Sequence, residues 1–163
     1  MNTTAYPVNS DSIPWVPLRE GVSLRPLYFS PDGYCAQLRV DPGVTVPRHR
    51  HTGEVHAYNL SGCREIIETG EIARPGTYIY EPPGNEDSWR CVGYVPCIVQ
   101  LTITGRVEYL GPRGEVVSAT DSRTACEVYL KWCAQQGRRP DPAILRGLPL
   151  QDRPSDLRRA AGG

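Results

Sequence analysis

The sequence predicts an all-β fold, a small antiparallel barrel or jelly roll with a single helix packed on its outside. Three observations carry that prediction. Sixteen Gly and sixteen Pro in 163 residues punctuate the chain with turns, and the apolar residues between them lean towards Val, Ile, Leu and Tyr. The clearest stretch, 98–104, alternates Val99, Leu101 and Ile103 with Gln100, Thr102 and Thr104, the period-two signature of a half-buried strand. Only one stretch, near 121–136, has helical spacing.

In chain order, residues 1–20 carry Pro7, Pro14 and Pro17 among polar residues and read as an extended arm with Trp15 as a possible anchor. Strands are expected at 22–29 and 34–40, separated by the turn Ser30-Pro31-Asp32-Gly33, and Asp41-Pro42-Gly43 turns the chain again. Further strands follow at 55–60, 63–68 and 78–81, the last leading into Pro82-Pro83-Gly84. Residues 107–110 and 116–117 flank Gly111-Pro112-Arg113-Gly114 as a hairpin. Asp121 can cap a helix whose stripe is Ala125, Val128, Tyr129, Trp132 and Cys133, and Gly137 stops it. The last 26 residues hold six Arg and four Pro and few large apolar groups, so 138–163 read as a loosely attached tail, with Ile144, Leu145 and Leu148 as local docking points. The expected organisation is an arm (1–20), one β-domain with its terminal helix (21–137) and a flexible tail.

Formal charge is zero, with 18 basic and 18 acidic side chains, which argues against a polyanionic partner such as nucleic acid. No apolar stretch approaches the length of a membrane span. The first residues lack a basic and an apolar signal region, so a cytoplasmic location with reduced thiols is expected. The cysteines at 35, 63, 91, 97, 126 and 133 include no Cys-x-x-Cys and read mostly as small core residues.

All three histidines, His49, His51 and His56, fall within eight positions. The bland reading is a solvated, histidine-rich loop. Against it, residues i and i+2 of a strand share a face, so His49 and His51 would project side by side as half of a metal site. His56 lies far enough on for the chain to turn and return beside them.

Gly43-x5-His49-x-His51-x4-His56 resembles the first motif of the cupin superfamily. Gly76-x5-Pro82-x-Gly84-x2-Asp87, following about thirty residues later, resembles the second. Within cupins the chain resembles the group containing 2,4'-dihydroxyacetophenone dioxygenase and acetylacetone-cleaving dioxygenase, from about Val22 to Gly137. The carrying stretches are Arg48-His49-Arg50-His51-Thr52-Gly53, Tyr80-Glu81-Pro82-Pro83-Gly84 and Ile103-Thr104-Gly105-x4-Leu110. The resemblance implies a cupin-type barrel, an iron(II) cofactor held by three histidines, dioxygen as co-substrate and cleavage of a carbon–carbon bond beside a carbonyl. It also implies a homodimer, with the arm 1–20 able to cross between protomers.

Two positions depart from the pattern: His56 stands where cupins commonly carry a glutamate, and Asp87 where the second motif carries a histidine. The ligand set left is His49, His51, His56 and Asp87, suited to iron(II), with zinc, nickel or copper as alternatives. A pocket that has lost its metal is the other possibility. Glu81, Glu86 and Asp87 are candidate acid–base groups, against a plain surface role for the glutamates. Tyr58, Tyr78, Tyr80 and Trp89 are candidate pocket walls, against ordinary core aromatics. Glu54 reads as a turn residue or as a partner to a histidine N–H. Cys91 and Cys97 are candidate soft ligands only for zinc or copper. The function expected is an iron(II) dioxygenase cleaving a small aryl ketone or β-dicarbonyl. The alternatives are a redox-neutral metal cupin (cyclase, isomerase or dehydratase) and a non-catalytic small-molecule-binding module.

Overall fold

The fold is described from a computed structural model, covering residue 5 and residues 7–155. Among the described residues, twelve strands form two six-stranded antiparallel sheets that face each other as a jelly roll. The strands are β1 (Val16–Arg19), β2 (Val22–Phe29), β3 (Gly33–Val40), β4 (Thr45–His51), β5 (Val55–Ser61), β6 (Cys63–Ile66), β7 (Ile72–Ala73), β8 (Tyr78–Glu81), β9 (Glu86–Val92), β10 (Cys97–Thr104), β11 (Val107–Leu110) and β12 (Val116–Thr120). One sheet runs β1-β2-β3-β10-β5-β8, the other β12-β11-β4-β9-β6-β7.

Alternation does most of the work. In β5, Val55, Ala57 and Asn59 are buried while His56, Tyr58 and Leu60 are exposed, and in β9 the buried residues are Asp87, Trp89 and Cys91. Within one sheet β3 and β10 pair in register, Ala36 opposite Leu101 and Leu38 opposite Val99, so small and branched side chains sit side by side on its inner face.

The helix α1 (Ser122–Gln135) begins with a reciprocal cap: the Asp121 carboxylate accepts from Thr124 N–H, and the Thr124 hydroxyl accepts from Asp121 N–H. Its buried face is Ser122, Ala125, Cys126, Tyr129 and Cys133, rotated from the expected stripe, so that Val128 is left exposed. Tyr129 packs near Phe29, ring centres 6.4 Å apart.

The stretch after the helix is no loose tail. Ile144 and Leu145 are fully buried, and Ile144 C=O accepts from Phe29 N–H. Burying two such side chains stabilises the fold by about 2 kcal/mol each, which outweighs the polar composition that suggested disorder. Residues 156–163 of the expected tail lie outside the described residues. At the other end the arm is partly structured: Val16–Arg19 pairs with β2 of the same chain, and the Arg25 guanidinium covers the Trp15 ring at 4.3 Å. All six cysteines are free thiols, and among the described residues no helix is long and apolar enough to cross a membrane.

Candidate functional site

His49 and His51 reach the interior because β4 is irregular. Val46 is buried, Pro47 and Arg48 are exposed, and His49 and His51 are buried again. The register of β4 against β9 shifts between Val46 and His49, and this bulge puts both imidazoles on the inner face. Their rings meet edge to face, centres 4.8 Å apart.

The Pro82-Pro83-Gly84 turn brings carboxylates to them from both sheets. Gly84, at φ +88°, donates its N–H to His51 C=O at 2.7 Å, and His51 N–H donates to Asn85 C=O at 3.0 Å. Only glycine takes that φ without strain. The turn thereby crosses from β8 in one sheet to β9 in the other, setting Glu81 on one side of the histidines and Asp87 on the other.

The result is two donor pairs. His51 Nε2 lies 3.1 Å from Glu81 Oε2, and His49 Nε2 lies 3.4 Å from Asp87 Oδ1. His49 Nδ1 is 2.9 Å from Pro47 C=O. That contact places a proton on Nδ1, so the neutral tautomer presents its Nε2 lone pair to the carboxyl group. All four side chains are at most a tenth exposed. Arg64, on β6, completes the cluster: it is 2% exposed, with its Cζ 5.4 Å from the centre of the Trp89 ring.

The two carboxyl groups differ in electrostatic setting. Burial pushes Asp87 up, reinforced by the Glu81 charge and only partly offset by His49, Arg64 and His51. Burial acts on Glu81 too, but the hydrogen bond with His51, the field of His51 and the Arg64 charge prevail and hold it below its ordinary value. Glu81 is therefore the ionised member and Asp87 the one inclined to keep a proton.

Several expected site residues lie elsewhere. His56 points out of the opposite sheet, 46% exposed at the side chain, with Nδ1 2.7 Å from Tyr78 Oη and Nε2 3.8 Å from Glu54. Five residues from His51 is an odd number of strand steps plus a turn, and β5 restarts with Val55 inward. His56 is thus not the third ligand beside His49 and His51; Glu81 occupies that neighbourhood. Tyr58, Tyr78 and Tyr80 share the outer face with His56 and line no interior pocket. Glu86 is on the surface, paired with Arg48 and Arg50. Trp89 does face inward. Cys91 and Cys97 are buried, with their thiols pushed up by burial, Cys97 to about 12.

Sequence reasoning missed Arg64 and Tyr109. Tyr109 stands opposite His49 in the β4–β11 register, ring centres 6.0 Å apart. A signal for Arg64 existed in the parity of β6: it pairs with the inward Cys91.

In chemistry the cluster fits a divalent transition ion. Two imidazoles and two carboxyl groups are suitable donors, and His49 Nε2 and Asp87 Oδ1 are two acceptors face to face that require a proton or a cation between them. Asp87 Oδ1 and His51 Nδ1 are buried without a hydrogen-bond partner. Among the described residues, no group of three or more His, Cys, Asp or Glu side chains is assembled as a preformed metal cage. The donors stand instead as two pairs.

The two-sheet jelly roll with inward histidines defines a cupin. The chain belongs to the family of ChrR cupin-like domains, whose model matches residues 3–99, more than half of its length. No curated protein matches it. Among solved structures it is similar to an RmlC-like cupin from Ralstonia eutropha JMP134 (TM-score 0.79, 23% identity, covering 85% of this chain and 92% of that one). It is also similar to an acetylacetone dioxygenase from Acinetobacter johnsonii (0.71, 21%, 81% and 95%). A third likeness is to the polyketide cyclase RemF from Streptomyces resistomycificus (0.55, 16%, 79% and 99%). At these identities the likeness establishes the fold.

Proposed function

We propose that this protein is a metal-dependent cupin enzyme acting on a small carbonyl compound, and specifically an iron(II) dioxygenase that cleaves a carbon–carbon bond of an aryl ketone or β-dicarbonyl. The observation that carries the proposal is the pair of buried imidazoles, each with a ring nitrogen directed at a carboxyl group. His49, His51, Glu81 and Asp87 are the residues that would hold the ion. The chemistry supplied there by bound iron(II) is reduction of dioxygen and polarisation of a chelating carbonyl.

The chain's own residues contribute the rest. Two carboxyl groups whose pKa values are pushed in opposite directions are suited to divide acid and base roles. Glu81, the lower of the two, would be the group to take a proton from the carbon between two carbonyls, and Asp87, the higher, the group to return one when it is not bound to the ion. Pro47 C=O fixes the His49 ring through Nδ1, and the buried Trp89 stands on the same face of β9 as Asp87.

Oxygen uptake tests the proposal. Iron-loaded protein mixed with pentane-2,4-dione or 2,4'-dihydroxyacetophenone is expected to consume dissolved oxygen in step with loss of the ketone. No uptake with any β-dicarbonyl or hydroxyacetophenone in a panel would overturn it.

A redox-neutral metal cupin is the second reading, favoured by the acid–base pair itself. Glu81 and Asp87 are equipped to move protons without any change of oxidation state. Turnover that persists anaerobically, or with zinc in place of iron, would select it.

A further inference from the structure

Arg64 is a full positive charge on the inner face of a β-strand, with 2% of its surface exposed. Its Nε and Nη2 atoms are both buried and meet no hydrogen-bond acceptor. Those two are neighbours on one edge of the guanidinium plane, and their N–H bonds point the same way. A pair of parallel donors on one edge is the fork that takes a carboxylate side-on through both oxygens. Leaving buried donors unpaired is costly, and more so on a charged group.

The neighbours do not fill the fork. The Trp89 ring lies under the guanidinium, its centre 5.4 Å from Cζ, and supplies no hydrogen-bond acceptor to Nε or Nη2. Burial lowers Arg64 and the charges of Glu81 and Asp87 only partly offset it; Glu81 is engaged by His51, and Asp87 accepts from Asn85 through Oδ2 while its Oδ1 faces His49 Nε2. Arg64 sits opposite Cys91 on β9, four residues along the strand from Asp87 and on the same face.

Charge balance points the same way. With a divalent ion held by the histidines, the interior carries two carboxylates at most against the ion and Arg64, a surplus of at least one positive charge. A buried surplus is relieved by an anionic ligand.

We propose that the site takes a small carboxylate-bearing carbonyl compound, a keto acid in which the carbonyl oxygens face the histidines and the carboxylate is gripped side-on by the Nε–Nη2 edge of Arg64. The inference rests on the proposed metal-dependent reading and narrows its substrate class from neutral ketones to keto acids.

Two probes that differ only at one end test it: 2,4-dioxopentanoate and pentane-2,4-dione, in which a terminal methyl replaces the carboxylate. Calorimetric titration of each into the metal-free and the zinc-loaded full-length protein reads the carboxylate's contribution directly. The keto acid is expected to bind about 10- to 100-fold tighter than the diketone, the worth of a charged hydrogen-bonded pair. Arg64→Gln should abolish that preference. Arg64→Lys, which keeps the charge and loses the fork, should lose most of it.

Equal binding of the two probes to the wild-type protein, or no binding of either at millimolar concentration, would overturn the inference with no variant involved. So would a preference that survives in a folded Arg64→Gln protein. Should the variants fail to fold, nitrogen-15 NMR of the arginine side chains decides: one buried Nε resonance must shift with 2,4-dioxopentanoate and stay unmoved by pentane-2,4-dione, and the opposite result would refute the fork. A carboxylate preference that remains while zinc adds no affinity for either probe would count against the metal-dependent reading and sustain this one.

Discussion

Asp87 Oδ1, which has no hydrogen-bond donor of its own, stands 3.4 Å from His49 Nε2, the nitrogen left unprotonated by the contact of Nδ1 with Pro47 C=O. Two acceptors facing each other inside a protein are a strained arrangement unless something positive lies between them. In the absence of metal, that something is a proton.

The stability consequence follows from the direction of the Asp87 shift. Its folded-state pKa is raised by burial and by the Glu81 charge, so its favourable contribution is fully present below the ordinary aspartate value and is lost as pH rises through the raised one. In metal-free protein Asp87→Asn should therefore raise the melting temperature at pH 7. The gain should shrink as pH falls through the raised value and vanish only well below the ordinary aspartate pKa of about 3.9, where the carboxyl is neutral in both states. A destabilised variant at pH 7, or a gain independent of pH, would contradict this. Thermal denaturation monitored across that range checks it.

Position separates His56 from its two neighbours in sequence. Because His56 lies on the outer face of β5 against Tyr78 and Glu54, His56→Ala should leave metal stoichiometry unchanged. Glu81→Ala should weaken metal binding by about 10- to 100-fold, whether Glu81 ligates the ion or orients His51. Metal content measured after equilibrium dialysis against a competing chelator distinguishes the two variants.

That contrast marks how far the sequence was legible. Strand rhythm and turn chemistry set out the architecture, because Gly and Pro act locally and the two-residue period needs no partner. The positions of His49 and His51 on one pleat were legible for the same reason. Strand β9 was not foreseen: Glu86-Asp87-Ser88-Trp89-Arg90 reads as polar, and only pairing with β4 and β6 shows that Asp87, Trp89 and Cys91 face inward. His56 was misplaced because a turn of unknown shape separates it from His51, and parity across a turn is not carried by spacing. Arg64 was overlooked because burial of a lone guanidinium contradicts composition-based expectation and is sustained only by Trp89 and the carboxylates around it.

The segment after the helix offers a packing test. Ile144 and Leu145 have no exposed surface, so Ile144→Ala or Leu145→Ala should each cost about 2–5 kcal/mol of unfolding free energy, the range for deleting a buried aliphatic side chain. Urea unfolding measures it. A loss within about 0.5 kcal/mol, typical of a surface position, would mean that 138–155 is the loose tail its composition suggested.

Burial pushes the phenols of Tyr34 and Tyr129 well above their ordinary value. Their contribution to stability is complete below the unfolded tyrosine pKa of about 10 and is lost as pH rises beyond it. Alkaline unfolding should therefore begin above pH 10 and coincide with the last step of phenolate absorbance. Tyr34→Phe should move its midpoint to higher pH, and an unmoved midpoint would show that this phenol is not the determinant.

The central claim is that His49 and His51 hold a divalent ion together with the carboxylates of Glu81 and Asp87. Elemental analysis of protein purified without chelators and exposed anaerobically to iron(II), beside the His49→Ala/His51→Ala variant, tests it most directly. The account predicts about one equivalent of divalent transition metal per chain in the wild type and a small fraction of that in the variant. Wild-type protein that takes up no metal, or a folded variant that takes up as much, would contradict it.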